Sequence, residues 1–137
     1  MKKERKRGRA LRALLVTLGV IVIMVGGFLT FTMGGKEKAI NLTVENVALD
    51  TIPDGTYEGS YSGMRWSNTV AVTVKDHQIT NIEVVKSQVF ITPETQDALA
   101  QSVLDSQSVE VDAISGATAD SHAYLKAVEN ALKSANS

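Results

Sequence analysis

The sequence predicts a small α+β domain, an antiparallel sheet with two helices, carried behind one N-terminal transmembrane helix. Three observations predict it. Residues 13–33 contain no charge and are rich in Leu, Val and Ile. Two adjacent runs, Thr69–Lys75 and Ile79–Lys86, alternate apolar and polar positions on either side of a short turn. Two later stretches have helical periodicity, and strands and helices do not alternate as βαβ units, which makes the sheet antiparallel.

The elements follow in chain order. Residues 1–12 form a basic tail in which Lys2, Lys3, Arg5, Lys6, Arg7, Arg9 and Arg12 hold seven of the fourteen basic residues. The 21 residues of 13–33, at about 1.5 Å each, match the ~30 Å hydrocarbon core of a bilayer. Positive charge ahead of that run places the N-terminus in the cytoplasm and the rest outside, as a single-pass protein of the cell membrane. A cleaved signal peptide is the competing reading. The run exceeds an ordinary signal-peptide core, and only Thr32-Met33-Gly34 offers a weak small-residue cleavage site. A chain this small has no interior for a helix apolar on all sides.

Residues 34–52 read as a polar-leaning linker. Pro53-Asp54-Gly55 is a turn signal that opens the domain, 53–137. Thr56–Tyr61 is the expected first strand, followed by a loop holding Gly63, Met64, Arg65 and Trp66. Val70, Val72 and Val74 fall on one face of the second strand, and Asp76-His77-Gln78 turns the chain into the third. Thr92 is the expected N-cap of a helix with Pro93 at its first position and Glu94 and Asp97 in its first turn. Val109 and Val111 alternate with Glu110, which predicts a short strand. From Ala119 to about Ser134, Leu125, Val128 and Leu132 mark an amphipathic final helix.

Composition excludes several functions. From Ala39 onward five basic residues face thirteen acids, a net charge of −8, which argues against nucleic acid as a partner. The acidic surface suits solubility, and the basic tail suits an anionic membrane surface. Without Cys there is no disulfide, iron–sulfur cluster, thiolate zinc site or c-type haem. His77 and His122 have no ligand-like spacing, so no metal site is expected, and no catalytic acid–base set is evident. Redox chemistry would need a cofactor held by other means.

The most informative run is Asp112-Ala113-Ile114-Ser115-Gly116-Ala117-Thr118, set directly before the final helix. Gly116 and Ala117 let the backbone come close to a ligand, and the first free N–H groups of a helix attract an anion. The same residues also read as an ordinary helix start with a Ser/Thr cap. Context favours the anion: Asp112 lies six residues before Thr118, with a strand-like segment ahead of it and a helix directly after.

Asp112-x-x-Ser115-Gly116-Ala117-Thr118 resembles the flavinylation motif Asp-x-x-Ser/Thr-Gly-Ala-Thr of the FMN-binding domain family. That family includes covalent-flavin subunits of bacterial sodium-pumping NADH:quinone reductases and of Rnf complexes, and small anchored flavoproteins of extracytoplasmic electron transfer. The resemblance runs from Asp54 to Lys133 and takes in Asp54-Gly55-Thr56-Tyr57-x-Gly59, the hairpin and the heptad. The chain departs from it at Ile91-Thr92-Pro93-Glu94, which keeps only the Thr-Pro of Glu-Thr-Pro-Gly, and at Asp76-His77, where many members have Asp-Gly.

The resemblance implies FMN joined to Thr118 by a phosphodiester, delivered from FAD by a Mg²⁺-dependent FMN transferase. It implies that Ser115, Gly116 and Ala117 line the phosphate turn, and that Asp112 is read by the transferase or braces the loop. A tether suits a site outside the cytoplasm, where free flavin is scarce and rebinding must be intramolecular. The implied function is electron transfer between a membrane donor and an extracytoplasmic acceptor, by a carrier rather than an autonomous enzyme. Two other readings stay open: a non-flavinylated anchored binding domain, and the flavin subunit of a multi-chain reductase. Trp66, with Met64 and Arg65, either stacks on the flavin ring or packs at the core edge. Tyr57, Tyr61 and Tyr124 are expected as core or surface aromatics, and His122 as a solvated helix residue or a phosphate contact.

Overall fold

The computed structural model describes residues 2–136, so Met1 of the basic tail and Ser137 of the domain lie outside the described residues. The chain divides into two compact units, one up to Gly34 and one from Gly35 onward. The first is helix α1, Lys2–Met33. Helix therefore continues back through most of the basic tail, because Arg, Lys, Ala and Leu are good helix formers and no Pro interrupts them. Thr17 and Thr30 donate to the carbonyls of Ala13 and Gly26, both at 2.8 Å, so their hydroxyls are satisfied within the helix. Among the described residues this is the one helix long and apolar enough to cross a membrane.

The second unit runs in the order α2 (Lys36–Ile40), β1 (Gly55–Tyr61), β2 (Asn68–Lys75), β3 (Gln78–Lys86), α3 (Pro93–Ser106) and α4 (Thr118–Ser134). The strands form an antiparallel sheet in the order β1-β2-β3. Val70, Val72 and Val74 turn into the core as their alternation requires. Asp76 and His77 make the β2–β3 turn with φ of 52° and 61°. Positive φ at both centres matches the strand twist, and Asp and His tolerate it better than most residues.

Thr92 caps α3 by accepting from the Thr95 N–H at 3.2 Å, with Pro93 in the first turn. The helix ends at Gln107, whose side-chain amide bonds both the N–H and the carbonyl of Ile79, at 2.7 and 2.9 Å. That pairing satisfies part of the open edge of β3. Helix α4 packs on β1 and β2. Gly59 makes this contact possible, because a Cβ there would lie 2.0 Å from the Ala131 nitrogen and 2.4 Å from the Ala127 carbonyl oxygen. Asn130 and Ser134 donate to the Ser60 and Glu58 carbonyls at 2.8 and 3.4 Å, so the helix also covers the edge of β1.

Two expectations change. Residues 35–52 belong to the compact unit instead of tethering it: Ala39 and Ile52 are fully buried, and Leu42, Val44, Val47 and Leu49 pack on the core. Their apolar side chains are spaced along an extended segment that lies on α4, fixed by Glu45 N–H to Glu129 (3.1 Å) and Lys126 to the Thr43 carbonyl (3.1 Å). The segment 109–111 forms no strand, and among the described residues the sheet has three strands. Val109 is buried and Glu110 exposed. An unpaired extended segment over a core produces the same alternation as a strand.

Candidate functional site

The heptad folds as a tight turn against the start of α4. The Ala117 N–H donates to the Ile114 carbonyl at 2.9 Å, and Gly116, third in that turn, sits at φ 81°, the position where a type II turn needs glycine. A Cβ on Gly116 would meet nothing within 4 Å, so glycine serves the backbone angle and leaves open space beside it. Buried Ser121 holds the turn: its hydroxyl donates to the Ala117 carbonyl at 2.6 Å and accepts from the Ile114 N–H at 3.0 Å.

The helix start differs from an ordinary Ser/Thr cap. Ala117 occupies the N-cap position and supplies no side-chain cap. Thr118 is the first helical residue, and its exposed hydroxyl makes no hydrogen bond among the described residues. The Ser121 N–H is satisfied by the Ala117 carbonyl at 2.8 Å. The N–H groups of Thr118, Ala119 and Asp120 precede it and have no carbonyl one turn back to accept them, so partial positive charge gathers at this end.

These residues line a cleft of about 310 Å³ with Lys36, Ile40 and Arg65, at the low end of the roughly 300–1,000 Å³ of small-molecule pockets. The guanidinium of Arg65 lies 4.1 Å over the Trp66 ring and 5.8 Å from that of Phe90. One of its nitrogens is 3.8 Å from an Asp120 carboxylate oxygen and 3.4 Å from the Val89 carbonyl. Loop and helix are cross-tied, since buried Gln88 donates to the Asp120 carbonyl at 2.9 Å and buried Asn68 donates to the Trp66 and Ala123 carbonyls, both at 3.1 Å. Burial pushes the Asp120 carboxyl above its ordinary value, and the opposing pull of Arg65 and the Trp66 indole does not offset it. The cleft thus sets two cations against one reluctant carboxylate.

Of the residues singled out from the sequence, Gly116, Ala117 and Thr118 line the cleft together. Ser115 is exposed in the turn and outside the lining. Asp112 is exposed and borders a separate groove with His122, Glu110 and Leu125. Trp66 is completely buried, in keeping with the core reading of that residue, and it presents itself to the site through the stacked Arg65. Tyr61 and Tyr124 are core residues whose phenols burial pushes up. The Tyr57 hydroxyl donates to the Pro53 carbonyl at 2.6 Å, and His122 Nδ1 lies 2.8 Å from the Ile40 carbonyl, tying α2 to α4. Sequence reasoning missed Lys36, Gln88 and Ser121. Lys36 reaches the site from more than eighty positions upstream, so no local spacing signals it.

The α+β domain thus presents an uncapped helix start, an exposed threonine hydroxyl and two cations along one cleft. A family model, the FMN-binding domain, matches residues 63–133, more than half of the chain. The chain belongs to the FMN-binding domain family, and the role that follows from this is flavin binding. A search of curated proteins finds no match. The donors present fit the phosphate of FMN: unpaired first-turn N–H groups, open space beside Gly116, and Lys36 and Arg65 to balance charge.

Proposed function

We propose that the protein is a membrane-anchored flavoprotein that carries electrons through FMN esterified to Thr118, in a domain outside the cytoplasm. The observation that supports this most is the Thr118 hydroxyl, which is exposed, unbonded among the described residues and set at the positive end of α4. A capping threonine would be engaged with the backbone; this one is available for chemistry. On attachment, the Thr118 oxygen forms a bond to the FMN phosphorus of FAD. The pyrophosphate bond breaks, AMP leaves, and the hydroxyl proton is lost.

Gly116 and Ala117 then let the backbone approach the phosphate, with Ser115 flanking the turn. Lys36 and Arg65 balance its remaining charge, and Trp66 steadies Arg65. Asp112, exposed and outside the cleft, suits recognition by the FMN transferase better than bracing. The bound flavin supplies one- and two-electron transfer, between a membrane donor and an extracytoplasmic acceptor. The basic residues in the first turns of α1, ahead of its apolar run, support a cytoplasmic N-terminus.

The test is in-gel flavin fluorescence after denaturing electrophoresis, with an FMN transferase co-expressed. Wild type fluoresces, Thr118→Ser keeps part of the signal and Thr118→Ala is dark. A dark wild-type band, or a fluorescent Thr118→Ala band, overturns the reading.

A further inference from the structure

Large apolar side chains at the surface of the second unit are few, and they are gathered. Among the described residues they are Ile40, Met64, Val85, Val89 and Phe90, and all but Val85 adjoin Arg65. Ile40 lines the cleft with it, and Met64 precedes it in the chain. The Val89 N–H donates to the Arg65 carbonyl at 3.0 Å, and the Arg65 guanidinium donates to the Val89 carbonyl at 3.4 Å. The Phe90 ring lies 5.8 Å from that guanidinium. The two hydrogen bonds zip the 64–66 loop to the chain that follows β3, which holds Met64 and Phe90 beside Arg65. Both residues have positive φ, 55° and 71°, yet they are 49 and 65% exposed. Strained backbone that gains no burial is a feature of ligand clamps.

The phosphate cleft itself has one large apolar wall residue, Ile40, too little to hold a planar ring against water. We propose that Phe90 and Met64 form the seat of the isoalloxazine ring, one subsite beyond the phosphate. The Phe90 ring offers a stacking face, and the Met64 thioether a soft and adaptable one. The aromatic contact that the sequence suggested at Trp66 thus comes from Phe90, because Trp66 is fully buried with Arg65 over its ring. The proposal rests on the phosphate site at Thr118 given above and adds ring contacts to it. A ring seated on surface residues stays open to the partner that exchanges electrons with it.

Tryptophan quenches flavin fluorescence on contact, so the ring's neighbours can be read directly. The full chain, made with an FMN transferase and held in nanodiscs, is compared as wild type, Phe90→Trp and Lys75→Trp. Lys75 is the control, exposed at the far end of β2. The 8 residues of that strand, at about 3.3 Å each, separate it from the Met64 loop by roughly 25 Å. The ratio of native to denatured flavin signal should fall several-fold in Phe90→Trp and keep its wild-type value in Lys75→Trp. Phe90→Gly should raise iodide quenching of the flavin several-fold without lowering the thermal midpoint, since glycine accepts that φ freely. Equal ratios in the two tryptophan variants overturn the proposal, as does iodide access that is unchanged or rises only with a lowered midpoint. Intact mass is read in parallel. A wild type without added mass counts against the Thr118 bond alone. The seat is then read from FMN added to the same chain: binding several-fold weaker in Phe90→Gly supports it, and binding that is absent or undiminished overturns it.

Discussion

Helix α4 opens on an exposed Thr118, uncapped and bordered by a cleft, whereas over its last turns it touches β1 so closely that one added carbon has no room. The contrast extends to charge. Asp120 near the start is half-buried with an oxygen that has no hydrogen bond, and its pKa is pushed up by burial. Glu129 near the end is fully buried yet accepts from Lys126, Lys133 and the Glu45 N–H. Burial works against its charge, but those hydrogen bonds together win and hold its pKa below the ordinary value. One helix thus divides the work. Its C-terminal half holds the fold together, and its N-terminal turn keeps unsatisfied groups for a ligand, as functional sites do.

Substitutions sharpen that division, and the largest effect is expected at Gly59. Gly59→Ala forces a methyl into the backbone of α4, which should cost about 3 kcal/mol or more, read as a large drop in thermal midpoint. A fully stable Gly59→Ala protein would contradict the close β1–α4 contact.

Glu129→Gln comes next. It keeps the shape but removes the charge facing two lysines whose heads still reach water, an expected loss of about 1–3 kcal/mol. The sign with pH follows from the lowered pKa. Wild-type Glu129 contributes its full stability above the ordinary glutamate range and loses it as pH falls below that range through its lowered folded value. The gap between wild type and Glu129→Gln, measured by denaturant titration, should therefore close in acid. A gap that widens in acid would contradict the account.

Ser121→Ala is expected to cost about 1 kcal/mol, because the Ile114 N–H loses its acceptor. Its larger consequence is local: amide exchange at residues 114–117 should rise while β2 stays protected. The smallest change, and the only gain, is expected from His77→Gly. Removing a side chain from positive φ outweighs the lost contact of Nδ1 with the Leu49 carbonyl at 3.2 Å, for a net gain of about 0.5 kcal/mol.

The fold was legible wherever the signal was local. Val70, Val72 and Val74 marked β2, Thr92-Pro93 marked the start of α3, and Leu125, Val128 and Leu132 marked the buried face of α4. What stayed hidden depends on contacts across the chain. Nothing near Gly59 reveals that α4 crosses there, and nothing near Lys36 reveals that it lines one cleft with Thr118. The Val109–Val111 alternation misled because burial, and not pairing, sets that pattern. The heptad was legible as a small-residue turn that opens the final helix, but the offset that leaves the Thr118 hydroxyl unengaged follows from Ser121, three residues into the helix, taking over the bracing of the loop.

The most direct measurement is the mass of the intact protein made with an FMN transferase, followed by peptide mapping. The account predicts a gain of one FMN less one water, carried on the peptide containing Thr118. An unmodified chain under those conditions, or the added mass on Ser115, would contradict it.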